Sequence, residues 1–116
     1  MRRLIWTLML LLSSNLPGAA QENIRNANSM LPHCKAGLDS NAPDPIGGRC
    51  IGIVATLAFV SRVLPDDLKF CTPNAATVEQ MLSMVINYVE SHPEHMPQDF
   101  RLAALIAMRQ AYPCSE

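Results

Sequence analysis

The chain has 116 residues, of which 49% are hydrophobic, and it carries 9 lysine and arginine residues against 10 aspartate and glutamate residues. This length allows one domain with a modest core and excludes two. Because no basic run or stripe is present, neither nucleic acid nor an anionic membrane surface is an expected partner.

The N-terminus has the three parts of a secretory signal peptide. Residues 1–3 include two arginines, residues 4–12 are apolar, and small residues suited to a signal peptidase end at Ala20. The apolar run is too short to span a bilayer, which needs about 20 residues. We therefore predict that residues 1–20 are cleaved and that residues 21–116 form a mature periplasmic domain. The alternative is an uncleaved membrane anchor.

The rest of the chain is predicted to be all-α, because proline and glycine divide it into four segments of helical length and no segment alternates with period two. The first segment, residues 22–37, carries a narrow apolar stripe. Pro32 lies inside this stripe and predicts a kink or a restart. A loop rich in aspartate, asparagine, proline and glycine follows.

The second helix has two candidate starting points. Asp44 followed by Pro45 has the pattern of an N-cap and a first helical residue, whereas two glycines could delay the start to about Arg49. Residues 50–64 are apolar on nearly every side, which is typical of the central helix of a bundle. Pro65 ends this helix.

The third and fourth helices have clear boundary signals. Thr77 is the predicted N-cap of the third helix, with Gln80 in the reciprocal position of a capping box, and residues 91–93 close it. Pro97 is suited to the first turn of the fourth helix, which residues 112–114 end. The predicted fold is a small bundle of four helices or slightly more.

Four cysteines remain after residue 20, and an even number in an exported chain predicts disulfides. Three pairings are open by sequence alone, but short loops make consecutive helices antiparallel. We therefore predict the bridges Cys34–Cys50 and Cys71–Cys114, each contributing about 3 to 4 kcal/mol on the chain-entropy model. A redox or zinc site is disfavoured because no CxxC spacing is present.

Titratable side chains crowd together at His92, Glu94 and His95. Two histidines three residues apart could hold a metal, but the proline between them breaks the helix that would aim both rings at one point. A solvated loop is therefore favoured, and no metal or cofactor is expected. Because no nucleophile elbow, phosphate-binding loop or dinucleotide motif is present, we expect a binding protein and not an enzyme.

The loop between the first two helices is the second candidate for recognition. It is long for a helix connection and brings Asp39, Asp44 and Arg49 into one segment. A surface loop that has no binding role is an equally good interpretation of this segment.

Several short segments form a recognisable set. The first is Cys50-Ile51-Gly52, which opens the apolar helix. The downstream segments are Phe70-Cys71-Thr72-Pro73, Val78-Glu79-Gln80-Met81, Tyr88-Val89-Glu90-Ser91-His92-Pro93 and Ala111-Tyr112-Pro113-Cys114. Taken together, they resemble the Rap/Tai family of immunity proteins, which protect bacteria against type VI secretion peptidoglycan amidases, although Ile53 stands where the family commonly has an aromatic residue.

The resemblance implies an all-helical periplasmic domain, often dimeric, that binds a cell-wall amidase and blocks its catalytic cleft without enzyme activity of its own. The blocking segment would be residues 91–99, where His92, Glu94 and His95 could hydrogen-bond to the amidase. Residues 39–49 are the second candidate.

Two other functions are compatible with the sequence. A periplasmic acid-stress chaperone would also be small, helical and disulfide-bonded, and it would expose apolar surface to a dye at low pH. An exported enzyme of unknown type is the other.

Overall fold

The computed structural model describes residues 25–115. This part of the chain is all-α, with one isolated β-bridge between Asn26 and Asp99 and no strand. The prediction of four helices is confirmed, whereas the predicted signal peptide, residues 1–20, lies outside the described residues. The helices are α1 (Ala27–Asp39), α2 (Pro45–Val60), α3 (Val78–Ser91) and α4 (Phe100–Ala111), with 3-10 turns at Ser61–Val63 and Pro93–His95.

Helix α1 continues through Pro32 instead of restarting there. Its N-cap is Asn26, whose side-chain oxygen accepts from the backbone N–H of Asn28 at 2.8 Å. Proline removes the hydrogen bond that the Asn28 carbonyl would otherwise accept. Both Asn28 and Pro32 are exposed, so water can satisfy that carbonyl and the helix tolerates the proline.

Helix α2 begins at the earlier of its two predicted starting points. Asp44 is the N-cap, and its Oδ1 accepts from the backbone N–H of Gly47 at 2.7 Å. With the following 3-10 turn, the helical stretch Pro45–Val63 has 19 residues and a mean hydropathy of 1.5, which by length and composition alone is enough to cross a membrane. The apolar segment recognised in the sequence, residues 50–64, is by itself too short for this.

The predicted capping box of α3 is confirmed. The N–H of Gln80 donates to Oγ1 of Thr77 at 3.1 Å, and the N–H of Thr77 donates to Oε1 of Gln80 at 3.0 Å. Helix α4 begins later than Pro97 suggested, because Asp99 caps it by accepting from the N–H of Arg101 at 2.9 Å. Pro97 lies instead in the segment that joins α3 and α4.

Both predicted disulfides are confirmed. The Cα atoms are 5.5 Å apart in Cys34–Cys50, which joins α1 to α2, and 4.9 Å apart in Cys71–Cys114. Cys34 and Cys50 are fully buried, whereas Cys71 and Cys114 are exposed. One bridge is therefore part of the core, and the other fastens the end of the chain to the segment before α3.

The core lies where α1, α3 and α4 meet one side of α2. An ion pair between Lys35 Nζ and Glu90 Oε1, 2.7 Å apart, also joins α1 to α3 at the surface. The largest fully buried apolar side chains are those of Phe70, Phe100, Met30, Leu82, Met108, Val54, Val85 and Val89.

The outer side of α2 differs from the prediction of a central helix. Only Gly47, Cys50 and Val54 are buried among the residues of α2, although the helix is the most apolar of the four. Phe59 near its end is 87% exposed. Helical periodicity cannot distinguish an apolar side that packs on its own chain from one that does not, so this exposure could not be predicted from the pattern.

Two neighbouring glycines of α2 should respond oppositely to alanine. A Cβ at Gly47 would lie 2.9 Å from the His33 carbonyl oxygen, whereas a Cβ at Gly48 would meet nothing within 4 Å. We expect Gly47→Ala to destabilise the domain by about 1 to 3 kcal/mol because the helices must separate. We expect Gly48→Ala to stabilise it by about 0.5 to 1 kcal/mol because alanine favours the helix. Urea unfolding of dilute protein measures both changes in stability. Equal effects would contradict the close approach of α2 to α1 at Gly47.

Candidate functional site

The α3–α4 connector, residues 92–99, is held against the N-terminus of α1. The N–H groups of Ala27 and Asn28 donate to the carbonyl oxygens of Gln98 and Met96 at 2.8 and 2.9 Å. In addition, the side-chain amide of Asn26 donates to the Pro97 carbonyl at 3.1 Å. These bonds satisfy donors at the start of α1 that have no partner within the helix, so they fix the connector as well as the helix end.

Three rings pack together where α3 runs into the connector. Tyr88 stacks on His92 with ring centroids 4.0 Å apart, and His95 lies 5.6 Å from Tyr88. Nδ1 of His92 lies 2.7 Å from the Tyr88 carbonyl oxygen, which can only accept, so Nδ1 is the donor. Neutral His92 therefore keeps Nε2 as a hydrogen-bond acceptor. Nδ1 of His95 bonds Oε1 of Gln98 at 2.9 Å.

The structure brings all three predicted connector residues onto one short segment. Glu94 is exposed within the 3-10 turn Pro93–His95, and no partner for its carboxylate is found among the described residues. The ring centroids of His92 and His95 are 6.0 Å apart. Over the described residues, no group of three or more histidine, cysteine, aspartate or glutamate side chains is placed to hold a metal ion. The segment therefore offers one free carboxylate and histidine nitrogens for hydrogen bonding.

In the α1–α2 loop, Asp44 already has structural partners. Besides capping α2 through Oδ1, its Oδ2 lies 2.7 Å from Nδ1 of His33. The Gly47 N–H and the His33 ring hold the pKa of the Asp44 carboxyl below its ordinary value. His33 is thus paired with Asp44, and the neighbouring Cys34 is consumed by its disulfide. Both oxygens of Asp44 stabilise the loop, which leaves the exposed Asp39 as the available carboxylate there.

The two predicted recognition segments lie at opposite ends of α1. The connector contacts residues 26–28, whereas the α1–α2 loop follows Asp39. A helix of 13 residues is about 20 Å long. A partner that touches both segments must therefore span the length of α1.

Arg49 lies in helix α2, away from the loop to which the sequence analysis assigned it. It borders a surface depression of about 340 Å³ together with Arg25, Asp99 and Arg101. Arg101 donates to Asp99 at 2.6 Å through its guanidinium, and this hydrogen bond lowers the pKa of the Asp99 carboxyl. The Cys34–Cys50 bridge brings this turn of α2 beside α1, so Arg49 belongs to the flank of the molecule and not to its loop end.

A groove between α3 and α4 was not predicted. It is lined by uncharged polar side chains, the ring of Tyr88 and the apolar side chains of Met84 and Ala111, and it runs up to His92. Polar residues recurring three and four positions apart along α3 were the signal that could have revealed it. Its main polar and aromatic lining residues are Gln80, Ser83, Asn87, Tyr88, Ser91 and Gln110.

These features define a small helical domain, cross-linked by two disulfides, that presents a fixed polar segment suited to protein binding. A family model described as Rap1a immunity proteins matches residues 26–114, so the chain belongs to this family and the resemblance noted in the sequence is confirmed. No curated protein and no solved structure gives a significant match. Membership indicates a non-enzymatic immunity protein that binds a secreted effector, and the disulfides fit an oxidising compartment.

Proposed function

We propose that this protein is a periplasmic immunity protein that binds a type VI secretion peptidoglycan amidase and occludes its active-site cleft with the α3–α4 connector. Family membership supports the immunity role. The observation that carries the choice of segment is the set of backbone hydrogen bonds that fasten the connector to α1. A second part of the proposal is that the protein acts as a homodimer.

The connector is suited to inhibition because it is ordered before binding. Three hydrogen bonds from residues 26–28 to residues 96–98, together with the N–H of Phe100 donating to the Arg25 carbonyl at 2.7 Å, hold its C-terminal half. A segment that is already in its bound conformation loses little conformational entropy on association. This small entropic cost favours tight binding, which an inhibitor needs if it must act on every incoming effector molecule.

The connector also offers suitable chemistry. The cleft of an amidase contains hydrogen-bond donors that position and polarise the scissile amide. Glu94 offers a free carboxylate, and neutral His92 offers Nε2 as an acceptor. Charge-assisted hydrogen bonds from such donors to a carboxylate are roughly twice as strong as neutral ones, so Glu94 is the expected anchor. Asp39 and Arg49 remain the second contact for a partner broad enough to reach them.

Exchange of charge at the two candidate segments tests the proposal. We expect Glu94→Lys to weaken binding and inhibition of the cognate amidase by about tenfold or more. The substitution removes the carboxylate that accepts hydrogen bonds from the cleft and puts a positive charge next to those donors. Asp39→Lys makes the same change at an exposed residue at the other end of α1, and we expect less than a threefold effect, or about 0.6 kcal/mol. Calorimetric titration and hydrolysis of purified peptidoglycan measure both.

Two results would contradict the proposal in different ways. If Asp39→Lys weakens inhibition while Glu94→Lys does not, the α1–α2 loop is the blocking segment and the connector is not. If the unaltered protein neither binds nor inhibits any co-expressed periplasmic amidase and protects no cell from one, the amidase assignment itself fails. Melting temperatures of the two variants control for loss of folding.

A further inference from the structure

The groove between α3 and α4, which we call the α3–α4 groove, has the composition of a protein-binding surface. Its volume is about 670 Å³, and no lysine, arginine, aspartate or glutamate is among the described residues that line it. The cores of protein interfaces are depleted in lysine and carboxylates and enriched in tyrosine and methionine. Tyr88 and Met84 both line the groove, next to serine, asparagine and glutamine side chains. Antibody paratopes use a similar mixture.

The charged residues that neighbour the groove in the sequence lie elsewhere. Glu90 pairs with Lys35 of α1 at 2.7 Å, and Arg109 borders a separate depression on α4. Glu79, in the first turn of α3, is exposed but does not line the groove. His92 at the end of the groove is titratable, and its neutral form accepts through Nε2. The α3–α4 groove thus offers no fixed charge to a partner, so an uncharged segment fits it best.

Three side chains of the groove carry hydrogen-bonding groups that are available to a partner. Ser83, Asn87 and Gln110 are exposed, and no hydrogen bond from their side chains is found in the described part of the chain. Asparagine and glutamine amides both donate and accept. An extended backbone presents free N–H and C=O groups, whereas a helix uses these groups internally. The groove is therefore complementary to an extended segment and not to a helix.

The groove is continuous with the α3–α4 connector. His92 belongs to both, and Tyr88 lines the groove while its ring stacks on that of His92 with centroids 4.0 Å apart. The hydrogen bond from Nδ1 of His92 to the Tyr88 carbonyl oxygen, 2.7 Å long, also holds this junction. A molecule that receives the connector in a cleft must therefore place the rim of that cleft at the end of the groove.

The connector alone is too small for a specific interface. It comprises only residues 92–99, whereas an interface of standard size uses roughly 20 to 30 residues on each side. The effector must therefore also contact surface next to the connector. The part of α3 from Gln80 to Ser91 that lines the groove is about 16 Å long. An extended segment of about five residues covers this length.

We propose that the α3–α4 groove binds an extended, uncharged segment of the effector that borders the effector's active-site cleft. Ser83, Asn87 and Gln110 hydrogen-bond to the backbone of that segment. This role rests on the proposed function, because the segment reaches the groove only when the connector occupies the cleft. The two surfaces then have separate effects: the connector blocks the cleft, and the groove adds affinity without blocking it.

Filling the groove tests its role in affinity. The probe is the purified amidase whose toxicity this protein suppresses on co-expression, titrated by calorimetry. We expect Ser83→Arg to weaken binding by about tenfold or more, because a long charged side chain then occupies the groove. At saturating concentration the variant should still stop peptidoglycan hydrolysis completely. Ala36→Arg is the matched control, since Ala36 is also small, exposed and helical but lies on α1. It should change the affinity by less than about threefold.

Hydrogen exchange of the amidase tests the conformation of the bound segment. In the free amidase, the N–H groups of an exposed extended segment exchange quickly, whereas those of a helix are already protected. Binding of the unaltered protein should slow the exchange of about five consecutive residues beside the cleft. Saturation with Ser83→Arg should leave those residues unprotected while the cleft itself stays protected.

Several outcomes would overturn this role of the groove. If Ser83→Arg binds the amidase like the unaltered protein while Glu94→Lys does not, the groove is no contact and the proposed function stands. Equal weakening by Ala36→Arg, or new protection only in a helix of the amidase, would also exclude it. If the protein without amidase binds purified peptidoglycan and Ser83→Arg abolishes this, the groove is a glycan site instead. If no amidase is bound at all, the proposed function fails and the role of the groove fails with it.

Discussion

Replacing Cys34 and Cys50 together with alanine is expected to lower the free energy of unfolding by about 4 kcal/mol. The bridge closes a loop of 16 residues, which corresponds to about 3 kcal/mol of chain entropy. Both cysteines are fully buried, so removing their sulfur atoms also leaves a small cavity in the core. Because small domains have a total stability of about 5 to 15 kcal/mol, this loss removes a large share of it and should lower the melting temperature clearly. Urea unfolding followed by circular dichroism measures the loss.

The two disulfides differ both in the length of the loop that they close and in the burial of their cysteines, so the second bridge is a useful comparison with the first. Cys71–Cys114 spans 43 residues, so the chain-entropy model alone assigns it about 4 kcal/mol, more than the shorter loop. Its cysteines are exposed, so replacing them leaves no cavity. We expect the paired alanine variants of the two bridges to lose similar amounts of stability. A loss at Cys71–Cys114 with none at Cys34–Cys50 would show that the buried bridge does not stabilise the fold.

Phe70→Ala is expected to cost about 3 to 5 kcal/mol, although Phe70 lies outside any helix. Its side chain is fully buried and fastens the long connection between α2 and α3 to the core. Alanine would lose the buried ring and leave a cavity that the close-packed helices, cross-linked by two disulfides, can close only in part. Thermal and urea unfolding should both show the loss.

Phe59→Ala is the matched control for Phe70→Ala. The same chemical change occurs at a ring that is 87% exposed, so we expect a stability change within about 0.5 kcal/mol in dilute monomer. If both substitutions cost the same, Phe70 is not the anchor of the connection. If only Phe59→Ala is costly even at the lowest concentration, the outer side of α2 packs on its own chain.

The parts of the fold that the sequence predicted correctly depend on local chemistry. The capping box at Thr77 and Gln80 satisfies backbone donors within one turn, so three residues of spacing are enough to recognise it. The disulfide pairing followed from short loops, which bring the end of one helix beside the start of the next. The grouping of His92, Glu94 and His95 was predictable because they are neighbours in the chain.

The parts that the sequence did not predict depend on contacts between distant residues. The connector is ordered by hydrogen bonds to residues 26–28, about seventy positions earlier. These bonds use mainly backbone groups, which nearly all residues share, so the residue types do not reveal them. Arg49 was assigned to a loop because its position on the flank depends on how α2 docks beside α4. The exposed side of α2 was missed because an apolar pattern does not say which neighbour it meets.

The attachment of the chain's first described residues to the connector also determines where the protein tolerates a tag. Arg25 and Asn26 pair with Phe100 and Asp99, so any polypeptide fused ahead of them emerges beside the surface proposed to meet the effector. Cys114 is fastened to the segment before α3, a helix of 14 residues that measures about 21 Å. Affinity handles and fluorophores for binding studies therefore belong at the carboxyl end, where they stand clear of the connector.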